Sequence, residues 1–214
     1  MNNALRWLFH FLAVRPFVLG VLGMNVYHRE RLPLSGPAII IANHNNHMDT
    51  FVLMSLFPMR RLKRLRAAAA ADYFLRNRIL AWIALQLFGI IPIKRGNLTR
   101  GDGHPLDPCS AALEHGDTLI IYPEGSRGEA ERLAPFKPGI AHLARRHPGV
   151  PVIPVFLHGL GKVLPKGAFW PVPFLCDVVI GEALYWTGDS AAFMLMLTDA
   201  IKGLAEERPL PEWT

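Results

Sequence analysis

Cysteine is scarce in this chain: Cys109 and Cys176 are its only two in 214 residues. Two cannot build a disulfide framework, and the pair fits a reducing compartment. Neither lies beside a histidine at a suggestive spacing, so both read as structural. Charge is thin as well. Asp, Glu, Lys and Arg make up 19% of the chain against 51% hydrophobic residues, which excludes extended disorder. No zinc-finger or RNA-binding signature occurs, and no Gly-x-Ser-x-Gly elbow marks a serine nucleophile. No internal repeat or linker divides the sequence. His104, His115, His142, His147 and His158 are scattered without ligand spacing, and His44, His47 and Asp49 lack the further partner a metal site requires, so no metal or other cofactor is expected. Acids are outnumbered by bases, giving a net charge of +6. With a mean hydropathy of +0.22, that excess points to an anionic membrane surface as partner and away from nucleic acid. The length suits one domain with a sizeable core.

Long uninterrupted apolar runs are missing too. Residues 4 to 24 are mostly apolar, but Arg6, His10 and Arg15 interrupt them and Pro16 breaks the helical pattern. A transmembrane span needs about 20 predominantly apolar residues, and a central Arg15-Pro16 is costly there. Leu5, Leu8, Phe9 and Leu12 repeat on one helical face, widened by Trp7 and Phe11, with Arg6 and His10 on the other side. Phe17 to Met24 could form a second short helix. The expectation is a membrane-associating helix pair over residues 1–24, Trp7 at headgroup level, followed by a catalytic domain over 25–214. A signal peptide fits less well, because no small-x-small cleavage site follows the apolar stretch. The basic run Arg60-Arg61-Leu62-Lys63-Arg64-Leu65-Arg66 is either a solvated face or a binder of anionic headgroups or coenzyme A phosphates.

What is present begins with His44-Asn-Asn-His-Met-Asp49, which follows the apolar run Ala38–Ala42 and leads into a helical pattern over Thr50 to Phe57. An imidazole can take a proton near neutral pH, and a carboxylate can fix its tautomer. On an ideal helix, positions five apart lie about 140° apart. The two side chains can therefore meet only if His44 sits on a loop and Asp49 near the helix start. Equally, Asp49 could simply cap the helix and His44 be an ordinary loop residue.

Apolar runs alternating with helical patterns indicate an α/β layer architecture. Strands are expected at Ala38–Ala42, Ile90 to Ile93, Thr118–Tyr122, Val152–Phe156 and Asp177–Ile180. Helices are expected at Phe74 to Phe88, from Asp107-Pro108 to about His115, from Lys137 to Arg146, and after Asp189 or Ser190. In the Phe74–Phe88 helix, Leu75, Ile79, Trp82, Ile83 and Leu87 form a broad apolar face. The last helix carries Phe193, Leu197, Ile201 and Leu204.

Four blocks then stand in order. Asn43, His44 and Asp49 form the first. Gly89, Ile91, Ile93 and Arg95 form the second, with Lys94 where an aspartate is common. Pro123, Glu124, Gly125 and Arg127 form the third, with Tyr122 and Ser126 in place of Phe and Thr. Val150-Pro151-Val152-Ile153-Pro154-Val155 is the fourth. In these blocks residues 25 to 185 resemble the glycerolipid acyltransferase family. The resemblance implies a single-domain fold with a mixed central sheet flanked by helices, including a strand at Leu65–Ala70. It implies transfer of an acyl group from acyl-CoA or acyl carrier protein, used as co-substrates, to the hydroxyl of a lysophospholipid. His44 would be the base and Asp49 its orienter. Substrate contacts would fall on Arg95, Glu124, Gly125, Ser126 and Arg127, the two arginines holding the phosphate. Lys137 could add positive charge. The favoured acceptor is 1-acylglycerol-3-phosphate, giving phosphatidic acid; Lys94 keeps other lysophospholipids and aminoacyl lipids as alternatives, and a thioester or ester hydrolase using the same His44–Asp49 pair is another.

Overall fold

The computed structural model describes residues 2–46, 48–94, 103–125, 133–163 and 175–207. Seven strands form one sheet: β1 (Gly23–Tyr27), β2 (Ala38–Ala42), β3 (Leu65–Ala70), β4 (Ile90–Ile93), β5 (Thr118–Ile121), β6 (Val152–His158) and β7 (Leu175–Ile180). Their order is β1-β7-β6-β2-β5-β3-β4. The five from β6 to β4 run parallel; β7 pairs antiparallel with β6, and β1 pairs parallel with β7. The sheet is therefore mixed. The helices are α1 (Asn3–Phe9), α2 (Arg15–Gly20), α3 (Met48–Leu56), α4 (Ala71–Phe74), α5 (Arg78–Ile83), α6 (Asp107–Glu114), α7 (Gly139–Arg146), α8 (Leu160–Val163) and α9 (Ser190–Glu206).

Strand β2 shows why both faces of the sheet are covered. All five of its residues are buried, as expected of a central parallel strand between two helical layers. Ile40 and Ala42 enter a core shared with Val14, Val18, Val52, Leu53 and Leu56, so that layer is built from α2, α3 and the turn joining α1 to α2. Ile39 and Ile41 enter the opposite core with Leu113, Leu143, Phe193, Leu197 and Ile201, carried by α6, α7 and α9. The expected apolar stripe of the last helix is buried in full, and Asp189 caps it by accepting the Ala192 N–H at 2.8 Å.

The N-terminus corrects one expectation. Pro16 does not split it into two helices. The backbone stays helical at Phe9, Val14 and Arg15, and the π-helical turn His10–Val14 widens the spiral where Pro16 lacks an N–H, so one helix runs from Asn3 to Gly20. The strand β1 begins at Gly23, so the sheet starts two residues ahead of the boundary expected at 25. The helix turns most of its apolar side chains outward and its polar ones inward. Arg6 and His10 are buried while Trp7, Leu8, Phe11 and Leu12 are exposed. Arg6 donates to the carbonyls of Leu62 (2.7 Å), Leu65 (2.9 Å), Phe88 (3.0 Å) and Leu87 (3.2 Å), and His10 Nε2 also meets Leu87 O (3.2 Å). Leu87 and Phe88 close a helix, where unpaired carbonyls concentrate negative dipole, and that sink for a cation holds the polar side inward. Gly89, with φ +61°, leaves room: a Cβ there would come within 2.9 Å of the guanidinium.

Two further expectations change. The Phe74–Phe88 segment is not one helix: α4 ends at Phe74 and Asn77 caps α5 through the Leu80 N–H, and of its apolar side chains Leu75, Ile79 and Trp82 are exposed. The basic run precedes β3, whose first residue is in register with Thr118 and hence with Ala38, at the start of β2. At about 3.3 Å per residue, that is roughly 20 Å from His44. Arg61 is used on Gly36 O and Thr118 Oγ1, and Arg64 and Arg66 on Asp117, so these three arginines form a structural clasp, while Arg60 and Lys63 are exposed.

Candidate active site

Parallel α/β sheets place ligands at the carboxyl ends of their strands, because the connecting loops open there. His44 follows β2, Tyr122 to Gly125 follow β5, and Leu157 to Leu160 close β6. The loop after β2 is stitched to β6 by its asparagines. Asn43 exchanges two bonds with the Leu157 backbone (2.8 and 2.7 Å), Asn45 Nδ2 donates to Leu157 O (3.1 Å), and Asn46 Nδ2 to Leu160 O. Asn46 Oδ1 also accepts the Met48 N–H at 2.7 Å and so opens α3.

Asp49 is fully buried on the first turn of α3. Its Oδ2 accepts three N–H groups: Asn45 N at 2.6 Å, Asn46 N at 2.9 Å and His44 Nδ1 at 2.8 Å. The capping-type bonds and the link to His44 therefore coexist on one oxygen. Burial pushes the Asp49 carboxyl up, and His44 with the two backbone N–H groups pulls it back. A carboxylate only accepts, so Nδ1 carries the imidazole proton and Nε2 holds the lone pair. The His44 ring is 16% exposed, reachable by a substrate but sheltered.

Tyr122 fixes the second coordinate of that ring. It stacks on His44 with centroids 4.1 Å apart and planes 16° from parallel, and its hydroxyl meets Thr50 Oγ1 at 2.9 Å. Burial, then Asp49, holds the phenol well above its usual range, so it stays neutral. Sequence reasoning missed this contact; its only signal was an aromatic side chain directly before Pro123-Glu124.

Glu124 Oε1 accepts the His44 backbone N–H at 3.2 Å, while Oε2 is buried without a hydrogen-bond partner among the described residues. Burial raises this carboxyl above its ordinary value, with His44 and the Ala134 N–H offsetting part of the rise. Gly125 turns with φ +73°, and a Cβ there would lie 2.6 Å from Lys137 Nζ, so the lysine lies across the glycine. The structure thus brings His44, Asp49, Glu124 and Gly125 together and adds Tyr122 and Lys137. Arg95, Ser126, Arg127 and His47 lie outside the described residues. Among the described residues no group of three or more His, Cys, Asp or Glu side chains could hold a metal.

An apolar cavity of about 360 Å³ lies between the N-terminal helix and α3. Phe9, Ala13, Val14, Phe17 and Val18 of the N-terminal helix face Met48 and Phe51 of α3 across it, and Met48 immediately precedes Asp49. A base held by a carboxylate, next to a buried acid and an apolar cavity, suits proton removal from a hydroxyl carried by an apolar molecule.

Known proteins resemble this chain. The family described as Acyltransferase matches residues 23–158. A chloroplastic 1-acyl-sn-glycerol-3-phosphate acyltransferase of Arabidopsis thaliana is 32% identical over 146 residues, covering 68% of this chain and 38% of the relative. Its Brassica napus counterpart is 31% identical over 140 residues, covering 65% and 38%. The chain thus spans about two fifths of the length of these curated relatives. The crystal structure of the 1-acyl-sn-glycerophosphate acyltransferase of Thermotoga maritima superposes with a TM-score of 0.74 at 20% identity, covering 99% of this chain and 81% of that one, and so shares its fold. On the family match and these identities, the chain belongs to the glycerolipid acyltransferase family.

Proposed function

We propose that this protein is a membrane-associated O-acyltransferase that moves a fatty acyl group from acyl-CoA or acyl carrier protein to the free hydroxyl of 1-acyl-sn-glycerol-3-phosphate, giving phosphatidic acid. The observation that carries the reading is the His44–Asp49 pair, with Nδ1 tied to a buried carboxylate and Nε2 left as base. An acceptor hydroxyl is a poor nucleophile until its proton is taken as the C–O bond forms. His44 Nε2 accepts that proton while the acceptor oxygen attacks the thioester carbonyl carbon. Asp49 stabilises the resulting imidazolium. Collapse of the tetrahedral intermediate breaks the C–S bond, and the imidazolium returns the proton to the departing thiolate. The acyl group never rests on the protein.

Positioning falls to the other residues. Lys137 across Gly125 supplies a cation for the acceptor phosphate, joined in this reading by Arg95, Arg127 and Ser126 as substrate contacts. Glu124 Oε2 is placed to take a hydroxyl or an arginine. The cavity between the N-terminal helix and α3 suits an acyl chain. No helix among the described residues is long and apolar enough to cross a membrane. The exposed Trp7, Leu8, Phe11 and Leu12 support peripheral or monotopic attachment to the cytoplasmic face, through residues 1–24.

The test is thiol release from palmitoyl-CoA in detergent micelles, with and without 1-acylglycerol-3-phosphate, for wild type and His44→Ala. Release that requires the acceptor, forms phosphatidic acid and disappears in the variant is the expected result. Release without acceptor would make the protein a thioester hydrolase using the same pair. Transfer only to another lysophospholipid or an aminoacyl lipid would move the acceptor and keep the chemistry.

A further inference from the structure

The helix α5 carries an apolar stripe on the outside of the molecule. Ile79 is 76% exposed and Trp82 51%, three positions apart on α5, and Leu75, in the turn between α4 and α5, is 44% exposed. Single exposed apolar side chains are ordinary, but two large ones three positions apart on one helix share a face. Inside the molecule the same segment is well packed: Phe88, at its far end, meets Phe9 and Phe51 at 5.8 and 4.9 Å. The stripe is thus the outer side of a fixed element.

Its borders are polar in a particular way. Arg76 and Arg78 are exposed on either side of Asn77, against one exposed acid, Asp72. The Arg76 guanidinium lies over the Tyr73 ring at 5.0 Å, which holds it beside the stripe. At its other end the segment packs against the N-terminal helix, which carries a second apolar surface. Gln86, one turn beyond Trp82, accepts the Asn2 N–H at 2.8 Å, and from there the N-terminal helix presents Trp7, Leu8, Phe11 and Leu12, with Trp7 and Phe11 stacked at 4.9 Å.

From these observations we propose that α5, with the turn that leads into it, is a second membrane-contact element, in which Ile79, Trp82 and Leu75 enter the headgroup–acyl boundary of an anionic bilayer while Arg76 and Arg78 engage its headgroups. The inference extends the membrane-associated reading above and adds something that reading lacks. A single interfacial helix leaves a domain free to roll about that helix's axis. A second contact off the axis removes the rotation and fixes the apolar cavity and the His44 centre relative to the lipid surface. Charge decides the occupant: paired arginines at the border would face each other in a two-fold dimer of this surface, whereas anionic lipid neutralises them. Tryptophan and arginine beside aliphatic side chains is also the composition of an interfacial element.

The full chain allows a direct test, because Cys109 and Cys176 are both buried. A polarity-sensitive fluorophore on Ile79→Cys is mixed with vesicles of phosphatidylcholine or of phosphatidylcholine and phosphatidylglycerol. The control carries it on Leu195→Cys, an exposed position on α9 in the opposite helical layer. A blue shift at position 79 on the anionic vesicles, with none at position 195, is expected. In co-sedimentation, Ile79→Ser/Trp82→Ser should weaken binding about tenfold, since the two side chains lose burial of a large apolar area. Arg76→Gln/Arg78→Gln should weaken it on anionic vesicles alone. Transfer to detergent-dispersed substrate should stay at the wild-type rate in both, separating docking from chemistry. Vesicle binding with a probe at 79 that stays in water would overturn the inference and leave attachment to the N-terminal helix. No vesicle binding at all would overturn both readings of the membrane. A concentration-dependent shift without vesicles would mean self-association and overturn it as well.

Discussion

Asp49→Asn separates the structural work of that carboxylate from its electrostatic work. The amide oxygen can occupy the position of Oδ2 and keep the bonds to Asn45 N, Asn46 N and His44 Nδ1. The NH₂ then falls where Oδ1 lies, a buried atom without a partner, so stability should drop by about 1–3 kcal/mol while the loop keeps its shape. What disappears is the negative charge beside the imidazolium formed in the reaction. Across 2.8 Å at an effective dielectric near 20, that attraction is roughly 6 kcal/mol, from which the cost of keeping Asp49 ionised in its buried site must be subtracted. A fall of about 10³–10⁴ in kcat follows, on the scale of the corresponding aspartate in serine hydrolases, with KM little changed. The assay is acceptor-dependent thiol release at saturating substrate, with near-ultraviolet circular dichroism to verify packing. Because the pair acts as a unit, His44→Ala/Asp49→Asn should be no slower than His44→Ala alone. A well-folded Asp49→Asn enzyme retaining more than about a tenth of kcat would refute the orienting role.

Much of this architecture was written in local pattern. Ala38-Ile39-Ile40-Ile41-Ala42 announces a central strand because a strand covered on both faces leaves no polar position, and the last helix shows its buried stripe at Phe193, Leu197, Ile201 and Leu204. Asp49 was ambiguous between cap and catalytic orienter because the alternatives do not compete: one oxygen serves the loop N–H groups and the imidazole together. What periodicity does not show is where distant carbonyls lie. Leu5, Leu8, Phe9 and Leu12 mark one face of an amphipathic helix without saying what holds the other. Arg6 holds it by reaching the Leu62, Leu65, Leu87 and Phe88 carbonyls, partners 56 to 82 residues away in sequence. The same blindness hid the exposure of α5, since an apolar face is equally well formed for a core and for a surface. Tyr122 stacking on His44 joins the ends of β5 and β2, a neighbourhood created by strand order alone.

Two further predictions probe the supports of the centre. Tyr122→Phe keeps the ring against His44 and loses only the Thr50 bond, so kcat should hold within about twofold; Tyr122→Leu removes a stack worth about 0.5–1.5 kcal/mol and should cost roughly three- to tenfold in kcat with KM unmoved, and a leucine variant at the wild-type rate would refute positioning by the ring. His10 gives the N-terminal helix an acid sensitivity. Burial, then Arg6 and more weakly Arg15, lowers its pKa from 6.5 to about 4, against the pull of the Leu87 carbonyl. Above pH 6.5 the ring is neutral in both folded and unfolded chains and its contribution is fully present. As pH falls from 6.5 towards 4 the unfolded chain binds a proton that the folded one refuses, so up to about 3 kcal/mol is lost across that window. Urea midpoints measured through this range should fall for wild type and decline less steeply for His10→Gln; parallel slopes would mean that His10 is not held neutral against the Leu87 carbonyl.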